Sequence, residues 1–370
     1  MGHGCKQVSA DPLTDFAGGR SKARDVTPAT VDGRPPGKEY DVQVRRLGRT
    51  GLKVSELCLG TMTFGNQADE QTSFAIMDRA FAAGIFFFDT ADVYPVIPTA
   101  ETVGRSEEIV GRWLRGRREK IVLATKLRGT MGPGANDAGL SRAHTLRAVE
   151  DSLRRLGTDY IDLYQVHSFD PETPLEETLR ALDDLVRAGK VRYIGCSNFA
   201  AWQLMKALGI SERLNLSRFD SVQPRYNLFD RQIERELAPL CAEEGVGVIP
   251  YSPLGGGLLT GKYRRGNRPP AESRYILFGR ESQITDSVLD GLDALAGLAQ
   301  EKGVTMAQLA LAWVLANPTI TAPIVGSTRP EQLDDCLPAV DLRLNEDDLA
   351  RCKEISRIAE GRREPVGALR

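Results

Sequence analysis

With 370 residues, the chain is longer than one ordinary domain, yet within reach of a single α/β barrel, a fold of about 250 residues that tolerates insertions. Apolar residues at 41% and charged residues at 26% exclude a disordered or fibrous protein and leave ample material for a core. A net charge of −2 excludes the global basic field that nucleic-acid affinity draws on, and no apolar run reaches the roughly 18 residues of a membrane helix.

Residues 1–40 are rich in Gly, Pro, Asp, Arg and Lys without apolar periodicity, which predicts a flexible extension outside the fold. The main domain is expected over residues 41–360, followed by a short tail at 361–370. It opens with two alternating stretches, Val42–Leu47 and Leu52–Ser55, around a Gly-containing turn, the pattern of a β-hairpin. Apolar strand candidates then alternate with helical patterns near 57–60, 85–88, 121–125, 161–166, 191–196, 219–223, 246–250 and 320–325. That alternation and strand number predict an α/β fold, a (β/α)8 TIM barrel with an N-terminal β-hairpin and extra C-terminal helices. An open doubly wound sheet is disfavoured, because no Gly-x-Gly-x-x-Gly follows the first strand or occurs elsewhere.

Leu175, Leu179, Leu182, Leu185 and Val186 recur at helical spacing before Gly189, behind a proline-containing acidic start. Between the seventh and eighth strands the spacing doubles, predicting an insertion on one face with helices near 286–301 and 305–316. Helices are also expected near 329–336 and 346–359, the latter capped by Asn345. The basic run from Arg112 to Lys120 reads as a solvated helix end, and no nucleic-acid partner is expected.

Six cysteines lie at 5, 58, 196, 241, 336 and 352 with no Cys-x-x-Cys pair. They predict reduced structural thiols and a cytoplasmic protein, and neither a metal nor a membrane is expected as a partner.

Four polar residues stand just beyond apolar strand candidates: Asp89 after Ile85–Phe88, Tyr94 five residues later, Lys126 after Ile121–Thr125, and His167 after Ile161–Val166. Singly, each has a structural use as a cap, a snorkelling cation, a packed ring or a core hydrogen-bonder. Jointly, at the ends of successive parallel strands, they form a proton-delivery device. A tyrosine hydroxyl titrates near 10, too weak an acid to protonate an alkoxide well at neutral pH. A neighbouring ammonium lowers that value and a carboxylate keeps the ammonium charged, which places Lys126 between Tyr94 and Asp89. A neutral His167 can hydrogen-bond the same carbonyl oxygen.

Phe88-Asp-Thr-Ala-Asp-Val-Tyr94, Ala124-Thr-Lys126, Asp162-Leu-Tyr-Gln-Val-His167 and Gly195-Cys-Ser-Asn-Phe199 resemble the signature segments of the aldo-keto reductase superfamily. The likeness runs from about residue 43 to about 358, and Gly189–Asn198 and Pro250–Gly257 resemble the branch with bacterial reductases and potassium-channel β subunits. The resemblance implies NADPH, with NADH possible, bound across the barrel mouth. It carries Ser197, Asn198 and Gln223 to carboxamide-binding positions and Tyr251 to the ring that stacks on the nicotinamide. Capping of the next helix is the alternative reading of Ser197 and Asn198. Gly60, Thr61, Met62, Ser252, Pro253, Leu254 and Gly257 fall in cofactor-lining segments. Gly326, Thr328, Arg329, Gln332 and Asp335 belong to a phosphate and adenosine segment, and Lys262 and Arg274 to a clamp for the pyrophosphate or 2′-phosphate. Cys336 stands where the family usually has an asparagine that reads adenine, so the choice of NADP over NAD is open.

The expected activity is NADPH-dependent reduction of an aldehyde or ketone, an alcohol dehydrogenase of the NADP type, with Tyr94 as proton donor. Its small-molecule carbonyl substrate would meet Met62, Phe64, Val93, Phe169 and the 263–285 insertion. Two other readings stand beside it: a cofactor-sensing subunit that reports redox state to a partner protein, and a barrel aldolase using Lys126 as a Schiff-base lysine. Oligomeric state is left open.

Overall fold

The computed structural model describes Met1, residues 40–267 and residues 269–361. Nearly all of the predicted N-terminal extension, the predicted tail from residue 362 and Cys5 lie outside the described residues.

The hairpin forms as the alternation predicts: β1 (Val44–Arg46) pairs antiparallel with β2 (Lys53–Ser55), Val44 opposite Ser55. Its inward residues Leu47 and Val54 are fully buried against Cys58, Phe87, Ala124, Leu163, Ile249 and Ala322. These come from near the N-terminal ends of different strands, so the hairpin plugs the floor of a cylinder. Tight contact with that floor requires Gly48, whose left-handed backbone (φ 52°) lies so close to the 245–247 turn that a Cβ would stand 2.5 Å from the Gly245 carbonyl oxygen.

The cylinder wall is eight parallel strands in the order β10-β3-β4-β5-β6-β7-β8-β9. They are β3 (Cys58–Gly60), β4 (Phe87–Asp89), β5 (Val122–Leu127), β6 (Ile161–Val166), β7 (Val191–Ser197), β8 (Phe219–Gln223), β9 (Gly247–Val248) and β10 (Ile324–Gly326). Closure comes from the start of β10 and the chain just before it: the Thr321 N–H donates to the Val248 carbonyl at 2.7 Å and the Ile324 N–H to the Pro250 carbonyl at 2.8 Å. The fold is therefore the predicted (β/α)8 barrel. Its strands match the predicted runs to within a few residues, because continuous apolar segments suit strands buried on both faces.

Helices α1 (Glu70–Ala82), α2 (Arg105–Leu114), α3 (Arg142–Leu156), α4 (Leu175–Arg187), α5 (Ala201–Leu214) and α6 (Leu237–Glu244) follow β3 to β8 in turn. The lengthened segment after β9 holds a short α7 (Arg274–Leu277), then α8 (Asp286–Glu301) and α9 (Met306–Ala316), close to the predicted helices. After β10 come α10 (Pro330–Cys336) and α11 (Glu346–Glu360). The cap expected at Asn345 is reciprocal: its Oδ1 accepts from the Asp348 N–H at 2.9 Å, and the Asp348 carboxylate accepts from the Asn345 N–H at 3.0 Å.

The basic run closes α2 as a solvated helix end, with Arg115 and Lys120 exposed, and three of its arginines also find partners. Arg112 reaches Glu70 at 2.6 Å, Arg117 reaches Asp78 at 2.9 Å, and Arg118 reaches Asp162 at 2.7 Å while stacking on Tyr160. Carboxylates from other elements collect these cations, and a linear reading cannot pair residues that only the fold brings together. Cys58, Cys196, Cys241, Cys336 and Cys352 are buried free thiols, as expected.

If the hairpin is a structural plug, Leu47→Ala should cost about 2–5 kcal/mol of stability, the range for truncating a fully buried leucine. Val44→Thr, at a position 53% exposed, should change it by less than about 0.5 kcal/mol. Urea unfolding of the two variants beside the parent checks both.

Candidate active site

Asp89 is the last residue of β4, Lys126 the fifth of β5, and His167 directly follows β6. Strand register sets their heights: Asp89 lies beside Ala124, so Lys126 stands one pleat further toward the C-terminal mouth, level with Gln165 on β6. There the Lys126 ammonium donates to Asp89 Oδ2 at 2.5 Å, to the Thr90 carbonyl at 2.8 Å and to the Tyr94 hydroxyl at 3.5 Å. All three ammonium donors are thus directed, as the burial of a charge requires. The four residues singled out by sequence converge: Lys126 lies between Asp89 and Tyr94, and the Tyr94 and His167 rings meet edge to face at 5.7 Å.

Burial by itself would lower the Lys126 pKa, but the Asp89 carboxylate, with Tyr94 adding to it, carries it above its ordinary value. A lysine held charged in this way is a poor Schiff-base nucleophile, which disfavours the aldolase reading. His167 is pushed down to about 3, first by burial and then by the Lys126 and Arg128 charges, so its imidazole is neutral at physiological pH. For Tyr94 the expected net lowering is corrected. Burial raises the hydroxyl above its ordinary value, and the opposing pull of Lys126 and, more weakly, Arg274 does not overcome it. The phenol therefore stays protonated at neutral pH, with the ammonium placed where it favours the phenolate against the effect of burial.

Beside this group, the Asn198 side-chain amide donates to the His167 carbonyl at 3.0 Å, and Asn198 Oδ1 accepts from the Tyr251 hydroxyl at 2.9 Å. The Ser197 hydroxyl donates to the Gln223 carbonyl at 2.8 Å. Helix α5 begins only at Ala201, with no side-chain cap from either residue, so the capping alternative is not what forms. Asn198 instead adopts a left-handed backbone (φ 56°), which an Asx side chain tolerates.

The other candidate positions ring the same mouth. Gly60 ends β3 beside Asp89, and Thr61 turns its hydroxyl to the Asp89 carbonyl at 3.2 Å and to Ser106, a structural use of that side chain. Met62 Sδ accepts from Arg274 at 3.3 Å, tying the first loop to α7. Ser252, Pro253 and Leu254 lead into Gly255-Gly-Gly257, three left-handed residues, and Lys262 Nζ lies 2.7 Å from where a Gly257 Cβ would be. Beyond β10, Gly326 and Arg329 are exposed, Gln332 accepts from the Thr328 N–H at 2.8 Å, and Asp335 faces outward beside buried Cys336. Lys262 is lowered by burial and then by the Arg274 charge, with Glu272 opposing and Arg329 adding a weaker push, so three cations share this place with one carboxylate.

Sequence reading missed Gln165. It donates to Asp89 Oδ1 at 3.0 Å, where Gln223 also donates at 2.9 Å. Its position as the fifth residue of a strand, level with Lys126, was the available signal. It named Phe169 but missed the two rings beside it: Phe169 meets Phe199 at 5.6 Å and Trp202 at 6.0 Å, and Trp202 is 60% exposed.

The family model described as the aldo/keto reductase family matches residues 56–357. An uncharacterized oxidoreductase, YrpG, of Bacillus subtilis is 44% identical over 84% of this chain and 94% of its own length. A probable voltage-gated potassium channel subunit beta of Arabidopsis thaliana is 40% identical over 81% of this chain and 92% of its own. A putative aryl-alcohol dehydrogenase of Schizosaccharomyces pombe is 38% identical over 83% and 94%.

The depressed His167 value has a stability consequence. Above the unfolded histidine pKa of about 6.5 both states are neutral; as pH falls from there toward 3, the unfolded chain takes up a proton that the folded one refuses, and stability drops. His167→Gln removes that linkage, so its stability measured by urea unfolding between pH 7 and 4, about the usable acid range, should fall less steeply than the parent's.

Proposed function

The chain belongs to the aldo/keto reductase family, and we propose that it is an NADPH-dependent reductase that converts an aldehyde or ketone to the alcohol. The observation that carries this reading is the Tyr94 hydroxyl, protonated and backed at 3.5 Å by an ammonium that a buried carboxylate holds in place.

The residues at the mouth fit a nicotinamide dinucleotide. Lys262, Arg274 and Arg329 outnumber Glu272, the carboxylate that acts on Lys262, and burial opposes the charge of the first two, a site that anionic phosphates would relieve. A third phosphate, on the adenosine ribose, would use this excess best, which supports NADPH over NADH. Ser197, Asn198 and Gln223 would hold the carboxamide end, and Tyr251 would flank the ring. When bound, the reduced nicotinamide supplies hydride to the carbonyl carbon.

The protein's own part is the proton. Neutral His167 donates a hydrogen bond to the carbonyl oxygen without adding a charge, and Tyr94 delivers its proton as negative charge develops there. Lys126 stabilises the phenolate left behind, and Asp89 keeps that ammonium in register. The rim of Phe169, Phe199 and Trp202 supports aryl aldehydes or ketones as the substrate class, as does the likeness to a putative aryl-alcohol dehydrogenase.

A cofactor-sensing subunit is the second reading, favoured by the likeness to a probable potassium channel subunit beta. Slow turnover with every carbonyl tried, together with a stable protein partner in pulldown, would select it.

Two measurements test the reductase. Tyr94→Phe should lower carbonyl-dependent NADPH oxidation by at least about 100-fold while leaving NADPH binding nearly intact, since the ring stays and the proton donor goes; full turnover would sink the mechanism. Lys262→Ala should weaken NADPH binding by about 10-fold and NADH binding much less, read by fluorescence titration.

A further inference from the structure

We propose that Gln165 is a positioning residue that locks the Gln223 amide, leaving only the Gln223 oxygen to meet the nicotinamide carboxamide. This rests on the cofactor reading above and assigns the residue that makes the subsite selective.

Donors and acceptors around Asp89 leave one arrangement of the two amides. Asp89 bonded to Lys126 is an ionised carboxylate and can only accept. Its Oδ1 takes one N–H from Gln165 at 3.0 Å and one from Gln223 at 2.9 Å, so both amides must turn their nitrogen toward it. With its nitrogen so placed, Gln165 offers its Oε1 to the second Gln223 N–H at 3.2 Å. Both hydrogens of the Gln223 amide are then committed, one to Asp89 and one to Gln165. The remaining polar atom of that side chain is Oε1, an acceptor that matches a carboxamide NH2 and rejects a group presenting only a carbonyl oxygen.

Asp89 alone fixes one hydrogen of Gln223 and leaves the other free to donate outward; Gln165 removes that freedom. Gln165 and Gln223 are both nearly or fully buried, so an idle amide hydrogen there would seek whatever acceptor entered the site. Gly195, level with Gln165 on β7, makes room for the arrangement: a Cβ there would stand 3.2 Å from Gln165 Cγ and 2.4 Å from the Ser221 hydroxyl.

The probes are NADP+ and its analogue with an acetylpyridine ring, which keeps the carbonyl oxygen and lacks the NH2. Equilibrium binding is followed by quenching of tryptophan fluorescence, so no turnover is needed. The parent should prefer NADP+ by about 10-fold or more, the scale of one lost hydrogen bond to a buried acceptor. In Gln165→Met, which keeps the length and removes both hydrogen bonds, the preference should shrink to within about threefold, chiefly through tighter binding of the analogue. Gln165→Leu is read in the same way should the methionine variant fail to fold. An unchanged preference in the folded variant overturns the role of Gln165 and leaves the reductase reading standing. Failure of the parent to bind either dinucleotide sinks both.

Discussion

The buried ion pair between Lys126 and Asp89 is the constraint around which the upper half of the barrel is arranged. Taking two ions out of water costs several kcal/mol each, and attraction between them offsets this only when the remaining donors and acceptors are also met. Here they are. The ammonium finds a carboxylate, a backbone carbonyl and a phenol, and the carboxylate finds two amides in addition to the ammonium. Each partner comes from a different part of the wall: β4 and the loop after it, β5, β6 and β8. The lower half needs no such arrangement, because Leu47, Val54, Phe87 and Leu163 fill it with apolar side chains. Removing either ion would strand the other, so the pair fixes the register of the catalytic end while the hairpin plug fixes that of the floor.

The fold was legible because its signals are local. Continuous apolar runs mark strands buried on both faces, and a cap such as Asn345 marks a helix start within a few residues. Asp89, Tyr94, Lys126 and His167 were legible for a related reason: an ionisable residue ending an apolar run has few places to go except the barrel mouth. Gln165 escaped notice because it sits inside its run, level with Lys126, and an uncharged amide in a strand raises no alarm until its partners are seen. The basic run from Arg112 to Lys120 was legible as a helix end, but not its pairing: Glu70, Asp78 and Asp162, which meet three of its arginines, come from elements that only the tertiary structure brings near.

The direction of the Tyr94 shift shows what linear reasoning about charge leaves out. Neighbouring cations can be inferred from sequence, and they do pull the phenol down; the depth at which the phenol is buried cannot, and it is the larger effect. For the proposed role as proton donor the raised value suits better than the inferred one, because an acid lowered toward neutrality would spend part of its time as phenolate. His167 is governed by the same burial with the opposite sign, because for an imidazole the charged form is the protonated one. Desolvation thus leaves both residues neutral and both able to donate a hydrogen bond, as the proposed reduction requires.

Asp92, three residues beyond Asp89, completes this sorting of charge. Both of its carboxylate oxygens are buried without a hydrogen-bond partner among the described residues, and burial, helped by the nearby Glu107 carboxylate, pushes it up to about 8. It is therefore mostly protonated at neutral pH. Glu107 has taken the polar partners at hand, the Thr125 hydroxyl at 2.6 Å and the Arg155 guanidinium at 2.7 Å. A second carboxylate beside the Tyr94 loop would otherwise compete for the Lys126 ammonium and raise the cost of forming phenolate. Two aspartates on one short segment are given different environments: Asp89 collects an ammonium and two amides, whereas burial dominates at Asp92. Asp89 is thereby the carboxylate bonded to the ammonium beside Tyr94, the arrangement the proposed proton transfer needs.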